Sequence, residues 1–184
     1  MTFGELARWE RGSERVLVST KILDLRSVRF RNPAKEIEKD FVVIHAPDWV
    51  NVVALTPGNH LVLVRQFRFG ANAFSLEIPG GMIEKGEDPV TAGTRELLEE
   101  TGFGGGVASL IGSVQPNPAI QDNRCHFVLV DGAVPTGPLH WDSDEEIETS
   151  TAPVADVLAW ARSGKITHSL TIAALTFLEG IRRI

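Results

Sequence analysis

Cysteine is almost missing from this chain: Cys125 is the only one in 184 residues, so no intrachain disulfide can form. That fits a reducing compartment. Long apolar runs are missing too, and none approaches the ~20 residues of a membrane span. The opening stretch, MTFGELARWERGSERV, carries charges where a signal peptide needs an apolar core. Together these absences lead us to expect a soluble, cytoplasmic protein with no membrane partner. Positive charge is also short. The net charge is −6 at pH 7, with no basic tail or stripe, which argues against a nucleic-acid backbone as partner. An acidic protein can still take an anionic substrate if metal ions stand between them. Neither internal repeats nor low-complexity tracts are present. What remains is ordinary: 43% hydrophobic and 23% charged residues. A chain of this length suits one domain with a small appended segment, and it can bury a core without staples.

Apolar alternation predicts many strands. Residues 16–30 read as one extended strand that Asn32-Pro33 breaks, and 40–46 and 50–56 read as two more. PGNH (57–60) is a turn, and 61–69 returns from it as a hairpin strand. Residues 73–79, 107–116, 124–133 and a weak segment near 147–150 complete the set. Helices are predicted at 153–164, opened by Pro153, and at about 169–183. Many antiparallel-looking strands with few interleaved helices indicate an α+β protein with mixed sheets sandwiched by helices, not a doubly wound parallel sheet. Residues 1–45 look like a separate strand-rich lobe joined near Pro47, and 46–184 like the main domain.

A further helix is predicted over about 89–101. Asp88 suits its N-cap, Pro89 its first position, and Gly102 a left-handed stop. At ~100° per residue, Glu96, Glu99 and Glu100 share one face, and Leu97 and Leu98 are left to pack on the sheet. Like charges at this spacing destabilise a helix. A solvated acidic face is the plain explanation. Against it, no Lys or Arg follows at i+4, and the cluster is tethered to IPGG (78–81), a turn that brings backbone carbonyls close. Carboxylates plus a carbonyl make a hard-oxygen site suited to Mg²⁺ or Mn²⁺. Arg95 is placed to reach back to Glu87 or to orient one of the carboxylates; an ordinary helix ion pair is the alternative.

These residues also spell a pattern. Gly81, five residues, Glu87, seven residues, Arg95-Glu96-Leu97, one residue, Glu99-Glu100, one residue and Gly102-Phe103 resemble the Nudix box at every fixed position. The resemblance implies the Nudix fold, an αβα sandwich, over about 46–184. It implies Mg²⁺-dependent hydrolysis of a nucleoside diphosphate linked to another moiety. Glu96 and Glu100 would be metal ligands together with the Gly80 carbonyl, Glu99 a ligand or a support for one, and Glu87 and Arg95 mainly orienting groups. The stretch VRQFRFGANAFSLEIPGG (64–81) is similar to the branch that hydrolyses ADP-ribose and nucleotide sugars. That likeness implies substrate contacts from Gln66, Arg68 and Glu77, with Arg68 reaching the phosphates; without it, Arg68 reads equally as an exposed strand arginine. The branch carries a proline about sixteen residues past the box glycine, where Pro118 stands. Its N-terminal lobe commonly exchanges across a homodimer, so residues 1–45 become a candidate dimerisation segment.

A second acidic cluster, HWDSDEEIE (140–148), is where the branch places its catalytic base. Glu145 matches best and Glu146 next; an acidic surface loop is the competing reading. A hydrolase of another nucleotide, such as a nucleoside triphosphate or dinucleoside polyphosphate, and a non-catalytic nucleotide-sugar sensor are the alternative functions. Other features carry less. GFGGGV (102–107) lacks the Lys-Ser/Thr of a phosphate loop and reads as helix stop and turn. The five histidines show no metal-ligand spacing. Cys125 reads as a small buried hydrophobe. Trp49 or Phe30 could stack on a purine, with core packing the better reading for each.

Overall fold

The computed structural model describes residues 6–137 and 146–182, the last without its side chain. Its contacts divide the chain into two units: residues 1–47 with 115–123, and 48–114 with 124–184. Among the described residues no helix is long and apolar enough to cross a membrane.

The first unit is a three-stranded antiparallel sheet of β1 (Glu10–Ser19), β2 (Asp24–Asn32) and β3 (Ile37–His45), in that order. The single strand predicted over 16–30 is therefore two strands. The chain reverses at residues 20–23 without glycine or proline. The Thr20 hydroxyl accepts the N–H groups of Ile22 and Leu23 at 3.3 and 3.1 Å, and the Thr20 N–H donates to the Leu23 carbonyl. A threonine side chain does here what Gly or Asn usually does by backbone freedom. The next reversal was legible: the Asn32 Oδ1 accepts from Ala34 and Lys35, each at 3.1 Å. Residues 115–123 join this unit through paired bonds, Ile44 N–H to Ile120 O and Asp122 N–H to Ile44 O, and through a His45–Asp122 contact at 2.9 Å.

In the second unit the strands are β4 (Trp49–Leu55), β5 (His60–Arg68), β6 (Ala73–Glu77), β7 (Gly80–Met82), β8 (Phe103–Gly104), β9 (Val107–Val114), β10 (Cys125–Asp131), β11 (Val134–Pro135) and β12 (Glu148–Pro153). Seven of them form one sheet, ordered β12-β5-β4-β10-β9, with β6 on β5 and β7 on β4; β8 and β11 pair separately. Only β10 with β4 is parallel, so the sheet is mixed as expected. The helices are α1 (Pro89–Thr101), α2 (Val154–Arg162) and α3 (Ser169–Arg182).

Strand alternation splits the core in two. From β4 and β10, Val50, Val52, Ala54, Val128 and Val130 turn to one face, where Ala92 and Leu97 of α1 cover them. Val53, Leu55, Cys125 and Phe127 turn to the other, under Val157, Leu158, Ala174, Leu175 and Leu178 of α2 and α3. Helix, sheet and helices thus stack as an αβα sandwich. Helix α1 keeps its predicted limits. The Asp88 Oδ2 accepts from Val90 and Thr91 at 3.0 and 3.2 Å, and Gly102 sits at φ 69° with its N–H on Leu98 O. Pro153 caps α2 instead of opening it. Leu98 corrects a prediction: it is 37% exposed while Leu97 is fully buried. The sheet-facing stripe of α1 is Ala92, Gly93, Leu97, Glu100 and Thr101, and Leu98 lies a quarter turn beyond Leu97.

Candidate active site

Gly80 and Gly81 set the position of everything else. The sequence reads them as a turn; they are instead the core of β7, which pairs antiparallel with β4 through Asn51↔Gly80 and Val50↔Gly81. Glycine in a strand marks a close approach of some other group. A Cβ on Gly80 would lie 2.2 Å from the Val50 carbonyl oxygen, and one on Gly81 would lie 2.5 Å from the Glu96 carboxyl carbon. So β7 is squeezed between β4 and α1, and Glu96 lies on its bare backbone. Glu100, 4% exposed, turns to the same strand, and its Oε2 accepts the Gly80 N–H at 2.9 Å.

Arg95 gathers the remaining carboxylates. Its Nε and Nη2 grip both oxygens of Glu87 at 3.0 Å each. Its Nη1 donates to Glu96 at 2.8 Å and to Glu99 at 3.0 Å, and Nη2 also reaches the Met82 carbonyl at 3.1 Å. One guanidinium thus offsets part of the carboxylate repulsion within the chain. Arg95 lies four residues before Glu99, not four after any of the glutamates. The Arg95 bond holds the Glu87 carboxyl below the usual carboxylate range, and the Glu87 bond raises the guanidinium still higher. Among the described residues, no three His, Cys, Asp or Glu side chains converge as a ready metal cage. Glu96 and Glu99 are drawn to Arg95, and Glu100 to Gly80. The acceptors gathered here, carboxylates and backbone carbonyls, are the hard-oxygen donors that a cation such as Mg²⁺ takes.

Beside β7 opens a cleft of about 910 Å³. Gly80, Gly81 and Met82 line one part of it, Gln66, Phe67, Arg68 and Phe69 another, with Asn51, Glu146 and His168 also at its wall. Two sequence candidates, Arg68 and Glu77, bind each other: Arg68 Nε and Nη2 donate to Glu77 Oε1 and Oε2 at 2.8 and 2.6 Å. Glu77 is fully buried. Burial by itself pushes its carboxyl up, but the bond to Arg68 and the Arg68 charge outweigh it and hold the group below the ordinary range. Glu146 reaches the cleft, whereas Glu145 lies outside the described residues. Pro118 belongs to the first unit with residues 115–123.

Reasoning on the sequence missed His168, Phe67 and Phe69 as cleft residues. For the phenylalanines the signal lies in the structure and not in the sequence. Phe69 is 84% exposed in a tight turn, and a large apolar side chain left in water marks a binding surface. Nothing local marks His168. Cys125 is buried as expected, bonded by its Sγ to Asn51 Oδ1 at 3.2 Å, and burial pushes its thiol up to about 12.

Comparison with known proteins follows the same lines. A family model described as the NUDIX domain matches residues 46–170. An ADP-ribose pyrophosphatase of Bacillus subtilis (strain 168) is 30% identical over 164 residues, 89% of this chain and 88% of that protein. An ADP-sugar pyrophosphatase of Mus musculus is 34% identical over 126 residues, 66% of this chain and 58% of that protein. A crystal structure of an ADP compounds hydrolase superposes with a TM-score of 0.85, covering 98% of this chain and 97% of that one at 19% identity.

Proposed function

This chain belongs to the Nudix family, and from that premise we propose that it hydrolyses the pyrophosphate bond of ADP-ribose or a related nucleoside diphosphate sugar. The products are a nucleoside monophosphate and a sugar phosphate. The observation that carries the reading is the junction of β7 and α1: Arg95 holds Glu87, Glu96 and Glu99, and Glu100 binds Gly80, whose strand lines a cleft that also holds Arg68. A diphosphate and a sugar fit a cleft of about 910 Å³.

Glu96, Glu99 and Glu100 with the Gly80 carbonyl would hold Mg²⁺ or Mn²⁺. Such a cation, when bound, neutralises diphosphate oxygens and acidifies a bound water. Arg95 keeps its two bonds to Glu87 and thereby fixes where Glu96 and Glu99 stand. Arg68 meets the phosphates. Its guanidinium is aimed by the bidentate bond to Glu77, a planar match that a lysine would not reproduce. Gln66 lines the cleft beside it and offers an amide to the substrate. The base that takes the proton of the attacking water is Glu145 or Glu146, and the position of Glu146 in the cleft supports this segment.

The first unit serves as a dimerisation segment in this reading. Val16 and Phe41 are exposed on one face of its sheet and Val18 and Val42 on the other, apolar groups of which a second copy would cover one set. Cytoplasmic residence accords with the single free cysteine.

The test is a substrate panel with Mg²⁺, scored by product: ADP-ribose, UDP- and GDP-sugars, nucleoside triphosphates and dinucleoside polyphosphates. The expected result is fastest turnover of a nucleoside diphosphate sugar to monophosphate and sugar phosphate. Preferred attack on triphosphates or dinucleoside polyphosphates would assign a different substrate. Tight ADP-ribose binding without Mg²⁺-stimulated release would make the protein a sensor.

A further inference from the structure

His168 stands at the start of α3, where its carbonyl accepts the Ile172 N–H. His168 lines the same cleft as Arg68 and Glu146. One edge of the ring is committed: Nδ1 lies 2.9 Å from Thr171 Oγ1 and 3.3 Å from Glu77 Oε2. Both partners are fully buried. Thr171 is fixed in turn, because its hydroxyl accepts the Ile78 N–H at 3.3 Å. Among the described residues Nε2 has no hydrogen-bond partner in the protein.

The proton's place on the ring follows from these neighbours. Glu77 is ionised, since both its oxygens accept from Arg68. An unprotonated Nδ1 would set its lone pair against that carboxylate. The stable tautomer therefore carries the proton on Nδ1 and leaves Nε2 as an acceptor. A doubly protonated ring is disfavoured. Burial lowers the His168 pKa; Glu77 pulls it up, and the Arg68 charge pushes it down again. A diphosphate oxygen is also an acceptor and finds no match at Nε2. A hydroxyl does.

Resting on the nucleotide-sugar reading above, we propose that His168 is a specificity-determining residue whose Nε2 accepts a hydrogen bond from a ribose or sugar hydroxyl of the substrate. Arg68 and His168 then sort one substrate between them, both braced by Glu77. The guanidinium takes the phosphate oxygens and the imidazole takes the adjoining polyol. A ligand with phosphates and no hydroxyl at this place leaves Nε2 unpaired, and sites built to bond a hydroxyl reject such analogues.

Two substitutions separate the two ring edges. His168→Asn keeps an amide near Nδ1 and deletes the Nε2 position. His168→Gln places an amide oxygen near Nε2. With ADP-ribose and with analogues each lacking a single hydroxyl, we expect the wild type to lose about 10-fold in kcat/KM on one analogue. His168→Asn should lose the same factor on intact ADP-ribose, mostly in KM, and lose nothing more on that analogue. His168→Gln should recover much of the loss. Equal wild-type kcat/KM on every analogue overturns the proposal even if neither variant folds. So does a His168→Asn enzyme whose sensitivity to the analogue is intact. Should the wild type hydrolyse no nucleotide sugar, the functional reading fails separately. Calorimetric titration of ADP-ribose into wild type and His168→Asn then decides this one: absent binding, or a Kd that the substitution leaves unchanged, overturns it.

Discussion

Glu100 is buried and accepts the Gly80 N–H, a bond that a glutamine oxygen can also accept. Glu100→Gln should therefore leave the melting temperature nearly unchanged and cut turnover about 100-fold or more, because a charged oxygen donor is lost. Near-normal turnover would remove Glu100 from the metal set. The paired glycines offer a contrast. At Gly81 a new Cβ meets the end of the Glu96 side chain, which can move, so Gly81→Ala should lower activity with little loss of stability. At Gly80 it meets the Val50 backbone oxygen, which cannot, so Gly80→Ala should cost about 1–3 kcal/mol of stability as overpacking does. Denaturant melts with kinetics on both variants test the pair, and a reversed pattern would mean that β7 is not the rigid strand described. His168 adds a pH effect. Its folded pKa lies below the ordinary 6.5, so as pH falls the unfolded chain takes up the proton first. Stability should then fall with pH just below ~6.5, by at most about 1.4 kcal/mol per pH unit for one proton. His168→Gln should flatten that part of the curve; identical slopes would show the ring to be unperturbed.

Helix α1 is the element through which stability and chemistry meet. Its core stripe, Ala92, Gly93 and Leu97, fixes the rotation that lays Glu96 on β7 and points Glu99 outward. Gly93 belongs to this fit, since a Cβ there would come within 3.1 Å of Val128. Asp88→Ala removes the acceptor for two N–H groups at the N-terminus and should cost about 1 kcal/mol. The site lies in the last turns of α1, so turnover at low temperature should change little, and a large loss of kcat would show that fraying reaches Glu96. The limits of α1 were legible because Asp88, Pro89 and Gly102 act on their own backbone. β7 was not legible: two adjacent glycines argue against a strand on propensity, and only the crowding by Val50 and Glu96 explains them. The reversal at 20–23 was missed for a related reason, since a threonine hydroxyl does the work there.

For the whole molecule, the two units and the cleft beside β7 set the expectations. Val42 is 52% exposed on β3. If the first unit joins two copies, Val42→Glu should shift the mass measured by light scattering from dimer to monomer without unfolding either unit, and a wild-type monomer would end that reading. The box at 81–103, its helix and the likeness to nucleotide-sugar hydrolases were all present in the sequence, because they depend on spacing along one stretch of chain. Strand alternation gave the two faces of the second unit for the same reason. The tertiary structure alone decided the partners. Arg68 finds Glu77 nine residues on, His168 finds Glu77 from a distant helix, and residues 115–123 pair with Ile44 of the first unit. Such pairings arise when burial strips water from charged and polar groups and leaves each to its nearest complement. Local spacing can state which residues carry charge, but only packing determines which of them meet.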